Sequence, residues 1–437
     1  MALHRLSPEI LSLILESLNS PIDLYHLASA SCACWRVFVS FRRLVLSSVL
    51  KNAIHLDALP HALAVINAPA AVPGSPTPKE KEVIVFLNKY RNGWRLVPFP
   101  TAWDDIVCLS RLYMRVTRLV DDYATHALQA LRTIDRPKRD LSVWPTELAS
   151  AVSLSQTERA RFLRAFFRFE LYCKLFPVAF RKESWSLFDK RAQFELFLAR
   201  LQGWEIEELA CVHQYLALLV DDLIKELEDQ LVSTVLSCKL LSSELNSNQE
   251  DSELVSFNPL ALRGMDLFSE ERRLHLEQCI NFLSSLGLDF IYNLLIADRG
   301  VRKQTILAHV GVRREFLPQA LSSADNIELM KEPTWLFESS ARCNLGWVEF
   351  RRFKFDRYPD SYGSPPLRAQ GYVFWDERRI HSPGVAEKLD EAQAMDQFEA
   401  ERIFDCKRRK RPREILAGVK IPRAEMERIE KEFVFTF

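Results

Sequence analysis

Apolar residues recur at the three-to-four spacing of a helix from the start of the chain. Ile10, Leu11, Ile14, Leu15 and Leu18 share one face, and Glu9, Ser12 and Glu16 are placed on the other. Ser7 is an N-cap candidate, and Pro8 suits the first helical position, where its missing N–H is no loss. Asn19, Ser20 and Pro21 break the pattern. A second helix is predicted with Leu24, Leu27 and Ala28, and a third from Ser31 with Trp35, Phe38 and Phe41. About forty residues lie near the lower limit for an independent core, so this unit needs cover from the rest of the chain, a partner, or both.

Residues 46–67 continue as bracing helices. Four prolines then fall within residues 68–80, which removes donors and forbids a helix. The body, residues 81–332, opens with apolar sequence at 84–87 and a turn at Asn92 and Gly93. Residues 103–131 place Leu109, Leu112, Val116, Leu119, Tyr123, Ala127 and Leu131 on one helix face. Pro137 and Pro145 interrupt, and Ser155 with Glu158 forms a capping box. The helix it starts carries Phe162, Phe166, Phe169, Tyr172 and Phe176 along one side and stops at Pro177. A helix over 185–201, a break at Gly203 and a long helix over 206–241 follow. Residues 242–258 are polar and acidic and predict a surface loop. Helical spacing resumes over 269–286, turns at Gly287 and runs on towards residue 310. No two-residue alternation of useful length appears in the body. Residues 333–385 are aromatic, turn-rich and partly extended, and residues 386–437 form a charged helix and basic tail. The predicted fold is mainly α: a three-helix N-terminal unit, an irregular all-α body, and an aromatic, partly extended C-terminal segment.

Composition changes this picture little. Lys plus Arg and Asp plus Glu number 58 each, so there is no global bias towards nucleic acid or anionic membrane. No apolar run reaches about 18 residues, and the N-terminus lacks the basic and unbroken apolar regions of a signal peptide. Nine cysteines without framework spacing suit buried thiols in a reducing compartment, so a cytoplasmic or nuclear location is expected.

Candidate chemistry is sparse. Leu-Val-Asp-Asp occurs twice, at 119–122 and 219–222. Asp121, Asp122, Asp221, Asp222 and Glu226 would have to converge to hold magnesium against a diphosphate, and the plainer reading is the exposed face of amphipathic helices. Cys32 and Cys34 lack a second pair for zinc, and no nucleophile elbow or phosphate loop is present. Cys211 and His213 read as packed helix residues. No catalytic residue, metal or cofactor is expected. The aromatic face of Phe162, Phe166 and Phe169 reads as core before it reads as a ligand groove. Arg351, Arg352, Tyr358, Arg368, Tyr372 and Trp375 are of the types that dominate interfaces and form a possible target-binding surface. The competing reading is that these rings pin an irregular segment to the body. Lys407, Arg408, Arg409, Lys410, Arg411 and Arg413 are a possible nuclear-import signal, or a solvated helix end.

Leu6, Pro8, Glu9, Ile10, Leu11, Ile14, Leu15, Leu18, Asp23, Leu24, Leu27, Ala30, Ser31 and Trp35 together resemble an F-box, with Pro8 one place later than in the usual family pattern. FDRYPDSYGSPP and GYVFWDERRI further resemble the C-terminal portion of a large group of filamentous-fungal F-box proteins. The resemblance implies a substrate receptor of an SCF-type ubiquitin ligase and no catalyst. Its box would bind the Skp adaptor, and through it a cullin-RING ligase, while the body holds an unknown protein target. Leu6, Pro8, Ile10, Ile14, Leu15, Leu18, Leu24, Leu27 and Trp35 would form the adaptor-facing surface and its support. The alternative is an F-box scaffold or nuclear regulator acting outside ubiquitylation. No leucine-rich, WD or kelch period marks the target-binding side.

Overall fold

A computed structural model describes residues 6–69, 80–93, 98–132, 144, 153–177, 188–245, 254–257, 273–309, 317, 344–351, 365–395, 415–416 and 418–433. Seventeen α-helices and one two-stranded ribbon account for almost all the regular structure among these residues. The mainly α fold expected from the helical periodicity is the fold found.

The N-terminal unit consists of α1 (Pro8–Glu16), α2 (Pro21–Ala30) and the first half of α3 (Cys32–Ala53). Pro8 and Pro21 open their helices at positions where an N–H would be unpaired. Ser20 and Ser31 cap α2 and α3 through their hydroxyls, which accept from the amides of Asp23 and Cys34. Ser7 occupies the N-cap of α1 but does not cap it through its side chain. Its hydroxyl instead holds the Glu9 carboxyl below its usual pKa. Both α1 and α2 pack on α3. Asn52, late in α3, donates to the carbonyls of Glu16 and Leu18 at 2.8 and 3.0 Å, which satisfies the C-terminal end of α1.

The third helix is longer than expected. It passes residue 45 without stopping and breaks from helical geometry only at Phe41. Cys34 and Val37, before the break, are buried with α1 and α2, whereas Val45, Leu46, Val49 and Leu50 are buried beyond it. The later part of the brace is a separate helix, α4 (Leu59–Asn67), which packs on α6 and α7. Lys174 fastens it by donating to the Val65 carbonyl at 3.1 Å.

The body is built round α7 (Gln156–Leu175). Ser155 and Glu158 form the capping box that their spacing predicts. The helix is buried on every side, however, not along one aromatic stripe: each residue from 162 to 173 is buried. Its wall comprises α4, α6 (Trp103–Ala130) and α9 (Gly203–Leu245). Around these lie α5 (Glu80–Gly93), α8 (Lys190–Leu196), a 3-10 turn (Leu198–Arg200), α10 (Arg273–Ser285), α11 (Leu288–Ile296) and α12 (Arg299–His309). Gly287 has φ 91°, which lets α10 turn into α11 as its position in the sequence suggests.

The C-terminal residues are folded into the body. Helices α13 (Leu345–Arg351), α14 (Pro365–Ala369), α15 (Glu377–Ile380) and α16 (Val385–Ala394) flank a run of turns over 370–374. The charged helix expected from residue 386 begins at Val385 and ends at Ala394. Further on, β1 (Leu254–Ser256) pairs antiparallel with β2 (Lys420–Pro422), and α17 (Arg423–Phe433) packs on α9. The expected polar loop over 242–258 therefore loses residues 242–245 to α9 and residues 254–256 to a strand.

Gly346 is fixed by close packing. A Cβ there would collide with the backbone carbonyl of Tyr372. Gly346→Ala is expected to destabilise the protein by about 1–3 kcal/mol, as overpacked sites do. Thermal denaturation monitored by circular dichroism checks this, and an unchanged midpoint would contradict the packing described.

Candidate docking face

Two groups of residues invite a functional reading: the interface-type side chains of the C-terminal segment and the outer face of the three-helix unit. The structure separates them sharply.

Trp375 is fully buried and its indole N–H donates to the Gln370 carbonyl at 2.8 Å. Tyr372 is buried and donates to Glu207 at 3.1 Å. Arg368 grips both oxygens of Glu207 at 2.9 and 2.8 Å, a bidentate pair almost closed to water. Tyr123 reaches the Arg368 carbonyl with its hydroxyl. Phe374 stacks on Phe162 with ring centroids 4.0 Å apart. Arg368, Tyr372 and Trp375 thus bind this chain's own core and offer no target-binding surface, which corrects the interface reading. The same stacking fills the space beside Phe162 that a ligand groove would require. Arg352, Tyr358, the Arg351 side chain and the basic run Lys407, Arg408, Arg409, Lys410, Arg411 and Arg413 lie outside the described residues.

A second cluster locks this segment across the start of α7. Asp376 accepts from Thr157 at 2.7 and 2.9 Å, from Arg161 at 2.8 Å, and from Ser155. Arg379 clasps Glu158 through two bonds of 2.7 Å. Partial burial works to raise the Asp376 pKa, but the bonds from Ser155, Thr157 and Arg161 together hold it below the usual carboxylate range.

The repeated aspartates do not meet. Asp122 is buried and accepts from Tyr215 at 2.8 Å and from the Trp144 indole at 3.1 Å. Asp121 pairs with Arg159 at 3.0 Å, Asp221 with Lys225 at 2.5 Å, and Glu226 with Arg302 at 2.7 Å. Asp222 also faces Lys225, at 3.7 Å. Asp122 and Asp221 are therefore buried linking groups rather than an exposed helix face. Among the described residues no group of three or more His, Cys, Asp or Glu side chains is arranged to hold a metal ion. His213 is buried, and burial pushes its pKa down to about 4, helped by the positive charge of Arg368 and opposed by a hydrogen bond with Asn281. It is a neutral core histidine at neutral pH.

The three-helix unit has the opposite character. Ile10 is 46% exposed, Leu13 63%, Tyr25 66%, Trp35 49% and Val39 49%, so one small unit leaves five large apolar side chains in water. Leu15 and Leu24 are buried and supply the unit's own core; they cannot face a partner. Leu6, Leu18 and Leu27 are partly buried against that core and Ile14 is half-buried, while Pro8, Ile10 and Trp35 are exposed. The face also includes residues that periodicity did not select. Ser12, assigned to the outer side of α1, is buried and donates to Glu16 at 2.8 Å, and Leu13 is exposed in its place. Tyr25 and Val39 are exposed as well. The neighbouring Phe41 and Leu44, 47% and 53% exposed, carry the apolar surface past the break in α3.

No family model, no curated protein and no solved structure matches this chain. Among the described residues no single helix is long and apolar enough to cross a membrane.

The lock on α7 makes a pH test possible. A carboxylate whose folded pKa is lowered contributes stability above its unfolded pKa, about 3.9 for Asp, and loses it as pH falls through the folded value. Asp376→Asn is accordingly expected to lower the melting temperature at pH 7, and the gap from wild type should close on acidification below about pH 4. A gap independent of pH would show that the Asp376 charge is not what the lock uses.

Proposed function

We propose that this chain is an F-box-type substrate receptor. Its three-helix unit docks on a Skp-type adaptor and thereby on a cullin-RING ubiquitin ligase, and its helical body carries a protein target. The observation that carries this reading is the outer face of α1, α2 and α3. A small folded unit that keeps Ile10, Leu13, Tyr25, Trp35 and Val39 in water is shaped for a partner. Covering a large apolar side chain is worth roughly 1.5–3 kcal/mol when burial is complete, so a few such residues supply the core of a stable interface. The F-box-like order of residues from Leu6 to Trp35 supplies the class of partner.

On this reading the chain needs no catalytic side chain. Holding a target close to a ubiquitin-loaded enzyme raises its effective concentration, and orientation does the rest. With Arg368, Tyr372 and Trp375 engaged in this chain's own core, these three side chains are not part of the surface that would hold the target.

The test is co-purification of the full chain with the adaptor. Ile10→Asp combined with Trp35→Asp alters only exposed positions, so the fold is expected to persist while adaptor capture falls. Hot-spot truncations cost about 2 kcal/mol or more, roughly 30-fold in affinity. Leu15→Asp is the contrasting variant: its charge lands in the core of the unit and is expected to unfold it, with loss of helicity. Undiminished capture by a folded Ile10→Asp/Trp35→Asp protein would overturn the docking reading.

A further inference from the structure

The middle of α3 has no buried side. Residues 39–44 are exposed one after another, while Val37 before them and Val45 after them are buried. Six positions cover more than about one and a half turns of helix, so the run is open to water all round. Among the described residues no other helix carries so long a run of exposed positions. The break from helical geometry at Phe41 falls inside it. Arg42 lies 4.8 Å from the Trp103 ring centroid and still remains exposed.

A helix that merely crosses solvent between two packed parts is expected to be polar all round. This one is not: Val39, Phe41 and Leu44 make up half of the exposed run. Exposed Trp35 and Arg36 lead into it, on the side of α3 turned away from buried Cys34 and Val37. The charges beside these apolar groups have one sign. Arg36, Arg42 and Arg43 lie on this part of α3, and residues 24–56 contain no Asp or Glu. Arg36 and Arg43 are exposed and make no ion pair among the described residues. The surface that complements this stretch is therefore apolar and acidic.

We propose that α3 from Trp35 to Leu44 is received in a groove of the adaptor that has an apolar floor and acidic rims. A helix open on every side is enclosed by a groove, the mode in which apolar anchors give affinity. Trp35, Val39, Phe41 and Leu44 are those anchors. Arg36 and Arg43 meet carboxylates on the rims, steer the approach and fix how the helix lies. The contact needs none of Ile10, Leu13 and Tyr25, which belong to α1 and α2. Naming the adaptor as the owner of the groove rests on the docking reading above; the shape and charge of the groove do not. Binding weakens as salt shortens the reach of charge from about 10 Å at 0.1 M to about 3 Å at 1 M.

Titration calorimetry of the full-length chain with a purified Skp-type adaptor tests this, over a series of salt concentrations. Arg36→Glu/Arg43→Glu is expected to lower the affinity about tenfold or more and to flatten its salt dependence. Phe41→Ser/Leu44→Ser is expected to lower the affinity while leaving the salt dependence as in wild type. All four positions are exposed, and circular dichroism confirms that helicity is kept. A wild-type chain that binds the adaptor, with both folded variants binding equally well, overturns the groove and leaves the docking reading intact. No binding by wild type overturns both. Self-association of the chain that both variants abolish, at unchanged adaptor affinity, would give the stretch to a second copy and overturn the proposal.

Discussion

The body depends on paying the desolvation cost of charges on a helix that has no wet side. Helix α7 carries Arg164, Arg168 and Glu170 inside a stretch buried at every position, and Glu158 is buried at its start. A buried charge without a partner costs several kcal/mol, so each of these residues dictates what must lie beside it. Arg164 takes both oxygens of Glu208 at 3.1 and 2.6 Å and stacks over Trp204. Arg168 pairs with Glu205. Glu170 accepts the Leu288 amide at 2.6 Å at the start of α11, where the helix dipole favours negative charge. Burial still raises its pKa despite that bond. Glu158 takes Arg379 from the C-terminal segment. One helix thereby specifies the register of α9, the entry of α11 and the return of the chain about two hundred residues later. Ion pairs of this kind add little net stability over a well-packed apolar core, but a misplaced neighbour leaves a bare charge, so they penalise wrong arrangements.

The same constraint separates the body from the N-terminal three-helix unit. Where α7 spends its polar groups inward, α1, α2 and the first half of α3 bury a small apolar core and leave large apolar groups in water. Helix α3 joins the two regimes, since its first half serves the unit and its second half reaches the body, with Arg42 over Trp103 and Lys51 over Phe99. Asn52 ties the end of α1 to that second half. The three-helix unit is therefore joined to the body through α3 itself, with the break at Phe41 as the one departure from helical geometry between them.

Helix existence was legible because period and punctuation agree. Residues 103–131 repeat apolar positions over many turns, and Ser155 with Glu158 marks the start of α7 without ambiguity. What periodicity could not supply was depth. The spacing of Phe162, Phe166 and Phe169 describes one stripe, yet α7 is enclosed all round, and Arg164 and Arg168 between the rings are core groups only because Glu208 and Glu205 of α9 meet them. Arg368, Tyr372 and Trp375 misled for a related reason: side chains that anchor interfaces are the same large, amphipathic groups that anchor a distant segment to its own core. Only the position of Glu207, more than 160 residues away in the chain, tells the two apart. Strand β1 had no signal at all, because three residues cannot show an alternation and their partners lie at 420–422.

The outer side of α1 departs from its helical periodicity in one place. A helical wheel put Ser12 outside and the apolar residues inside, a fair rule when one side of a helix meets solvent and the other a core. In α1 the rule fails by one position. Ser12 is buried and spends its hydroxyl on Glu16, while Leu13 is left in water. A chain selected only for its own stability has no reason to exchange them, because a leucine buried where Ser12 sits and a polar residue in place of Leu13 would favour the isolated fold. The exchange leaves one side of α1 covered by α3 and the other, with Ile10 and Leu13, in water.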